Sequence, residues 1–113
     1  MSAPVAARIN ISYSQTMLRH VVLFTWTRHA SPQAIESAKE RMRNYGGSNE
    51  RCLTFVVADN VGANPGNFDT VVIADFPSLE DYKAYALDPR HVAVIDGNRE
   101  VVSEKASIQY ETT

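Results

Sequence analysis

The sequence has little cysteine and no long apolar segment. Cys52 is the single cysteine among 113 residues, which excludes an internal disulfide and a metal cluster held by several cysteines. No apolar run approaches the length of a membrane span, and the N-terminus lacks the apolar centre of a secretory signal. We therefore expect a protein of the reducing cytoplasm, in which Cys52 is a small buried apolar residue rather than a nucleophile.

An excess of charge of one sign is also absent. The chain has 11 Lys and Arg residues against 13 Asp and Glu residues. Like charges form no block, so a nucleic acid is not an expected partner. A membrane is not expected either, since no apolar run is long enough to span one. Hydrophobic residues make up 44% and charged residues 21% of the chain, which is typical of a globular protein. The length fits one domain.

The first 16 residues differ from the rest of the sequence. They are rich in Ala and Ser, contain no acidic residue, and precede the hydrophobic periodicity that starts after Met17. We expect a disordered or extended arm over residues 1–16 and one domain over residues 17–113. A targeting peptide would also lack acidic residues and carry Arg8, but one arginine is weak support for it.

Four segments have the composition of β-strands, being rich in β-branched and aromatic residues between turn signals. They cover residues 19–26, 53–58, 70–76 and approximately 106–110. The turn-rich segment between the second and third strands predicts a long hairpin.

Capping residues and apolar periodicity predict three helices. Ser31 begins the first helix, and Gly46-Gly47 is expected to stop it. Ser78 begins the second helix. Asp88, before a proline, is expected to cap a third helix that continues through Val102.

The resulting order is β-α-β-β-α-α-β, an α+β fold of the ferredoxin-like type with a four-stranded antiparallel sheet. Right-handed crossovers place the helices on the same face of that sheet. The first and third strands are nevertheless apolar on both sides, since Val21 and Leu23 alternate with Val22 and Phe24. The uncovered apolar face predicts a homodimer with sheet facing sheet.

Two segments of the sequence resemble a known family. The strand LRHVVLFTW and the segment FDTVVIADFPSLEDYKAYALDPRHVAVID are similar to the stress-responsive A/B barrel (Dabb) family, whose members form dimeric α+β barrels. The most specific pattern is Tyr85-x-x-x-Pro89-x-His91-Val92, together with His20. The family includes olivetolic acid cyclase, which performs an aldol cyclisation without cofactor or metal, and which has another histidine at the position of Asp88.

The resemblance implies a candidate site at His91, Tyr85 and His20. A histidine in the first turn of a helix tends to stay neutral near pH 7, so His91 is a candidate base that Tyr85 orients. The alternative is that these side chains only pack the helix junction. His20 is expected on the helix-facing side of its strand, either in the pocket or as a core residue.

Three further residues, Phe24, Trp26 and Tyr82, are expected to contact a ligand in a pocket between the sheet and the helices. His29 precedes a helix cap and is expected at the surface. The histidines and carboxylates show no metal-ligand spacing, so we expect no metal and no cofactor.

Three functions are compatible with these expectations. The first is binding of a small apolar or carbonyl-containing molecule by a homodimer. The second is a cofactor-independent, polyketide-cyclase-like lyase that uses a His/Tyr pair. The third is a structural protein that builds larger assemblies. An open cavity that reaches His91 would favour the first two, and a filled interior the third.

Overall fold

The computed structural model describes residues 16–113. The predicted arm of residues 1–16 lies outside this range except for Thr16. Seven elements follow in the predicted order: β1 (Met17–Trp26), α1 (Pro32–Ser48), β2 (Thr54–Asp59), β3 (Thr70–Phe76), α2 (Leu79–Leu87), α3 (Pro89–Asn98) and β4 (Val102–Thr112). None of the helices in this range is long and apolar enough to cross a membrane.

The first helix begins where the sequence predicts and ends later. The Ser31 side chain accepts a hydrogen bond of 3.1 Å from the backbone N–H of Ala34, as expected of an N-cap. The predicted stop at Gly46-Gly47 is wrong, because α1 continues through both glycines to Ser48. A Cβ atom on Gly46 would overlap the Phe55 ring. Gly46 therefore allows α1 to approach β2 closely.

The junction of α2 and α3 has the predicted caps. Ser78 accepts from the backbone N–H of Asp81 at 3.1 Å, and Asp88 accepts from that of Arg90 at 2.8 Å. The prediction that α3 continues through Val102 is wrong: α3 ends at Asn98, and Val102 pairs with Trp26 as the first residue of β4. Pairing with β1 satisfies the Val102 backbone in the sheet instead of in a helix.

The four strands form one antiparallel sheet in the order β2-β3-β1-β4. The helices pack on the face that carries Leu18, His20, Val22 and Trp26 of β1, and we call it the covered face. The core lies between this face and the helices. The opposite face, which we call the open face, carries alternate residues of the same strands.

The open face is apolar in its centre. Val21 and Ile73 are paired across β1 and β3 and are half-buried, while Val56 on β2 and Ile108 on β4 are 46% and 59% exposed. Near one end of this face, the Arg19 guanidinium donates two hydrogen bonds to the Asp75 carboxylate, at 2.8 and 3.0 Å. Helices therefore pack on one face of the sheet, whereas both faces carry apolar side chains.

Candidate functional site

A cavity of about 350 Å³ lies between the covered face and the helices. The sheet and the helices both contribute to its apolar wall, which includes Val22, Phe24, Met42, Phe55, Val72 and Val94. Such a cavity matches the size and lining of a small-molecule site.

Aromatic and imidazole rings line another part of the same cavity. His20 comes from β1, Tyr82 and Tyr85 from successive turns of α2, and His91 from the first turn of α3. The ring centres of His20 and Tyr82 are 4.8 Å apart, as are those of Tyr85 and His91. The structure thus brings together the three residues predicted as a site.

The tautomer of His91 follows from its backbone contact. Its Nδ1 atom lies 3.1 Å from the carbonyl oxygen of Ala86. Because a carbonyl oxygen only accepts, Nδ1 carries the proton, and the neutral ring keeps a lone pair on Nε2. Burial is the main cause that lowers the His91 pKa, with Lys105 acting in the same direction. His91 is therefore a neutral proton acceptor near pH 7.

His20 has the opposite tautomer. The side-chain amide nitrogen Nε2 of Gln109 lies 2.9 Å from its Nδ1 atom. The amide nitrogen donates, so Nδ1 accepts and the proton of the neutral ring is on Nε2. Burial, followed by the charges of His91 and Lys105, lowers the His20 pKa to about 4. Near pH 7 the cavity therefore has one imidazole donor and one imidazole acceptor.

Two tyrosines beside the imidazoles, Tyr45 and Tyr85, keep their hydroxyl protons. The Tyr45 hydroxyl donates to the backbone carbonyl of Tyr85 at 2.9 Å and accepts from the Asn49 side chain at 3.0 Å. Burial raises the pKa of Tyr45 to about 12 and raises that of Tyr85 as well. The Tyr85 hydroxyl stays protonated at neutral pH and can donate a hydrogen bond.

The residues expected to contact a ligand are only partly placed in the cavity. Phe24 and Tyr82 line it, but Trp26 does not. Trp26 is 8% exposed, and its indole N–H donates to the Thr70 hydroxyl at 2.9 Å. Trp26 therefore lies on the covered face as a core residue, outside the lining of the cavity.

The other singled-out side chains lie outside the cavity. His29 is exposed, as expected. The Cys52 thiol is half-buried and donates to the backbone carbonyl of Thr54 at 3.0 Å, and burial raises its pKa. A raised pKa keeps the thiol protonated and disfavours a nucleophilic role.

Sequence reasoning missed Tyr45, Lys105 and Ser107, which also line the cavity. The sequence signal at Tyr45 is the apolar periodicity of its helix, which predicts a core residue as readily as a cavity residue. Lys105 and Ser107 lie opposite Phe24 and Val22 in the register of β4 with β1. Lys105 and Ser107 are two residues apart in one strand, which places them on the same face and was the available signal. The predicted strand began at residue 106 and therefore left Lys105 out.

Histidine, cysteine and carboxylate side chains do not gather into a metal site in the part of the chain that the structure describes, since no group of three or more is close enough. The polar groups that line the cavity are imidazoles, phenols, the Asn98 amide, the Ser107 hydroxyl, the Arg99 guanidinium and the Lys105 ammonium.

The sequence profile of the stress responsive A/B barrel domain matches residues 18–112. The chain belongs to this family. No curated protein matches this Dabb protein. Among solved structures, a dimeric protein of unknown function with a ferredoxin-like fold from Bacteroides fragilis is 27% identical, with a TM-score of 0.70 and coverage of 84% of this chain and 95% of that chain.

Two enzymes have the same fold as this Dabb protein. Hydroxynitrile lyase from Passiflora edulis has a TM-score of 0.78 at 13% identity, with coverage of 86% of this chain and 94% of the lyase. SnoaB, a cofactor-independent oxygenase from Streptomyces nogalater, has a TM-score of 0.68 at 14% identity, with coverage of 83% and 90%. These likenesses confirm the predicted fold, and the profile match confirms the predicted family. The reaction does not follow from the fold.

Proposed function

We propose that this Dabb protein binds a small, largely apolar carbonyl compound in the cavity between the covered face and the helices. The observation that carries this proposal is the cavity of about 350 Å³, with an apolar wall beside a His/Tyr cluster. The protonated Nε2 of His20 is a donor suited to a carbonyl oxygen. A purely structural role fits less well, because a cavity of this size leaves the interior partly unfilled.

The open face supports a homodimer as the working form. Its exposed Val56 and Ile108, together with half-buried Val21 and Ile73, form an apolar surface that a monomer would leave in water. A two-fold pairing of the two open faces covers both surfaces at once. The B. fragilis structure of the same fold is described as dimeric.

The binding proposal is tested with two matched ligands, 2-acetylnaphthalene and 2-ethylnaphthalene, which differ in the carbonyl group. Calorimetry should show that both bind the wild type. His20→Phe keeps an aromatic side chain and removes the donor, so it should weaken ketone binding about fivefold and leave hydrocarbon binding unchanged. Absence of saturable binding by either compound would contradict the proposal, and an equal loss for both would remove His20 from recognition.

A second candidate function is a cofactor-independent lyase or cyclase, and the tautomer of His91 favours it. Its Nε2 lone pair can take a proton from the carbon next to a bound carbonyl, so that the C–H bond breaks and an N–H bond forms. The electrons move to the carbonyl oxygen, where His20 Nε2–H and the Tyr85 hydroxyl are candidate donors. His91 then returns the proton.

The proton-transfer step is tested by exchange of the acetyl protons of 2-acetylnaphthalene in D₂O, followed by NMR. The wild type should accelerate deuterium incorporation, and His91→Gln should reduce the rate by at least about a hundredfold. His29→Gln, at an exposed histidine, is the control and should keep the wild-type rate. Equal rates with wild-type and His91→Gln protein would contradict a base role for His91.

A further inference from the structure

Two cationic side chains, and no carboxylate of residues 16–113, line the cavity. The cations are Arg99 and Lys105. The Arg99 guanidinium hydrogen-bonds the carboxylate of Asp96 on the preceding turn, so its charge is largely compensated. Lys105 has no carboxylate within ion-pair distance among residues 16–113. Lys105, an exposed residue at the edge of the cavity, is therefore the one lining cation of residues 16–113 without an ion-pair partner.

The positive charge of Lys105 acts on the two imidazoles of the cavity. It contributes to lowering the pKa of both His20 and His91, although burial is the larger cause for each. These two residues lie on different elements, β1 and α3, at the polar part of the cavity. The ammonium group therefore raises the electrostatic potential where a polar ligand group would lie.

Strand β4 presents a polar strip to the cavity. Lys105 and Ser107 face the same side because they are two residues apart, and they lie opposite Phe24 and Val22 of β1. Gln109 continues the strip and contacts His20. One edge of the cavity thus combines a cation with a hydroxyl, while the neighbouring wall is apolar.

We propose that the ligand of this cavity is an apolar molecule that carries one carboxylate, held by the Lys105 ammonium and the Ser107 hydroxyl. This inference rests on the proposed binding function and adds the charge of the ligand. One uncompensated cation matches a monoanion, whereas a phosphate dianion is usually met by several cationic groups or backbone N–H donors. The apolar body of the ligand lies against Phe24 and Val72.

The test uses 2-naphthoate and 2-naphthamide, which have nearly the same shape and differ in charge at pH 7. Calorimetry with the wild type should show naphthoate binding about fivefold more tightly than the amide. Lys105→Met should remove this preference by weakening naphthoate binding alone. Lys83→Met, at an exposed lysine on α2 that does not line the cavity, should keep it. Raising the ionic strength should reduce the preference of the wild type.

The outcomes separate the two proposals. Equal affinities of naphthoate and naphthamide for the wild type, or a preference that survives in Lys105→Met, would overturn the carboxylate assignment and leave the cavity as a site for neutral ligands. If neither compound, nor 2-acetylnaphthalene, binds the wild type, the binding function itself fails. Loss of binding of both compounds in Lys105→Met would mean that Lys105 supports the cavity structurally, which also overturns the assignment.

Discussion

The two faces of the sheet are built from alternate residues of the same strands and differ in what covers them. On the covered face, His20 is 7% exposed and lies in a cavity with Tyr82 and Tyr85. On the open face, Ile108 is 59% exposed, because the helices of residues 16–113 pack on the other side of the sheet. The covered face encloses a polar cluster, and we propose that the open face serves association, so that one sheet has two separate tasks.

The largest expected effect is on association through the open face. Ile108→Glu places a charge in the proposed interface and is tolerated by the monomer, because this side chain is exposed there. A buried unpaired carboxylate costs several kcal/mol, so the dimer dissociation constant should rise at least about a hundredfold. Sedimentation velocity should show the shift to monomer.

Val61→Glu is the matched control for this change, since Val61 is 92% exposed in the loop between β2 and β3. It should leave the dimer intact. A wild type that sediments as a monomer, or an Ile108→Glu protein that remains dimeric, would contradict the role given to the open face.

The covered face should make stability depend on pH. The folded-state pKa of His20 is about 4, against 6.5 for the ordinary side chain. The unfolded chain therefore binds a proton more readily between these values. This contribution to stability is fully present above pH 6.5 and is lost as the pH falls towards 4.

His20→Phe should consequently reduce the loss of unfolding free energy between pH 6.5 and 4 by about 2 kcal/mol relative to the wild type. Urea unfolding at a series of pH values measures this difference. His29→Phe, at an exposed position, should keep the wild-type pH dependence. An unchanged slope in His20→Phe would mean that folding does not lower the pKa of His20.

A smaller effect tests how tightly α1 packs on the covered face. In Gly46→Ala the new methyl group must displace the Phe55 ring, which should lower the free energy of unfolding by about 1 to 2 kcal/mol. The neighbouring Gly47 has no atom within 4 Å of an added Cβ. Gly47→Ala should therefore stabilise the helix by about 0.5 kcal/mol. Thermal unfolding of the two variants measures the difference. Equal changes in stability for Gly46→Ala and Gly47→Ala would contradict the close approach of α1 to β2.

Much of the fold could be predicted because its signals are local. The capping side chains of Ser31, Ser78 and Asp88 bond backbone groups two or three residues away, and local contacts can be read from spacing. Gly46 was misinterpreted as a helix stop because its role depends on Phe55, which lies on another element. Sequence alone does not show which distant side chain approaches a glycine.

The candidate site could be predicted less completely. Strand alternation correctly placed His20, Phe24 and Trp26 on one face, but it does not tell how far along the strand a cavity extends. Trp26 therefore fell outside it, whereas Lys105 on the edge strand β4 fell inside. Charged residues near the start of β4 also concealed the strand, since edge strands need little apolar alternation.

The claim that the ligand binds in the cavity and not on the open face is tested most directly by intermolecular nuclear Overhauser effects. They are measured between 2-acetylnaphthalene and methyl groups of the protein. Met42 and Val72 line the cavity, and Val21 and Ile108 lie on the open face. We expect contacts from the naphthalene ring to the Met42 and Val72 methyl groups. Contacts to Val21 and Ile108 instead would place the ligand on the open face and contradict the assignment of the cavity as the binding site.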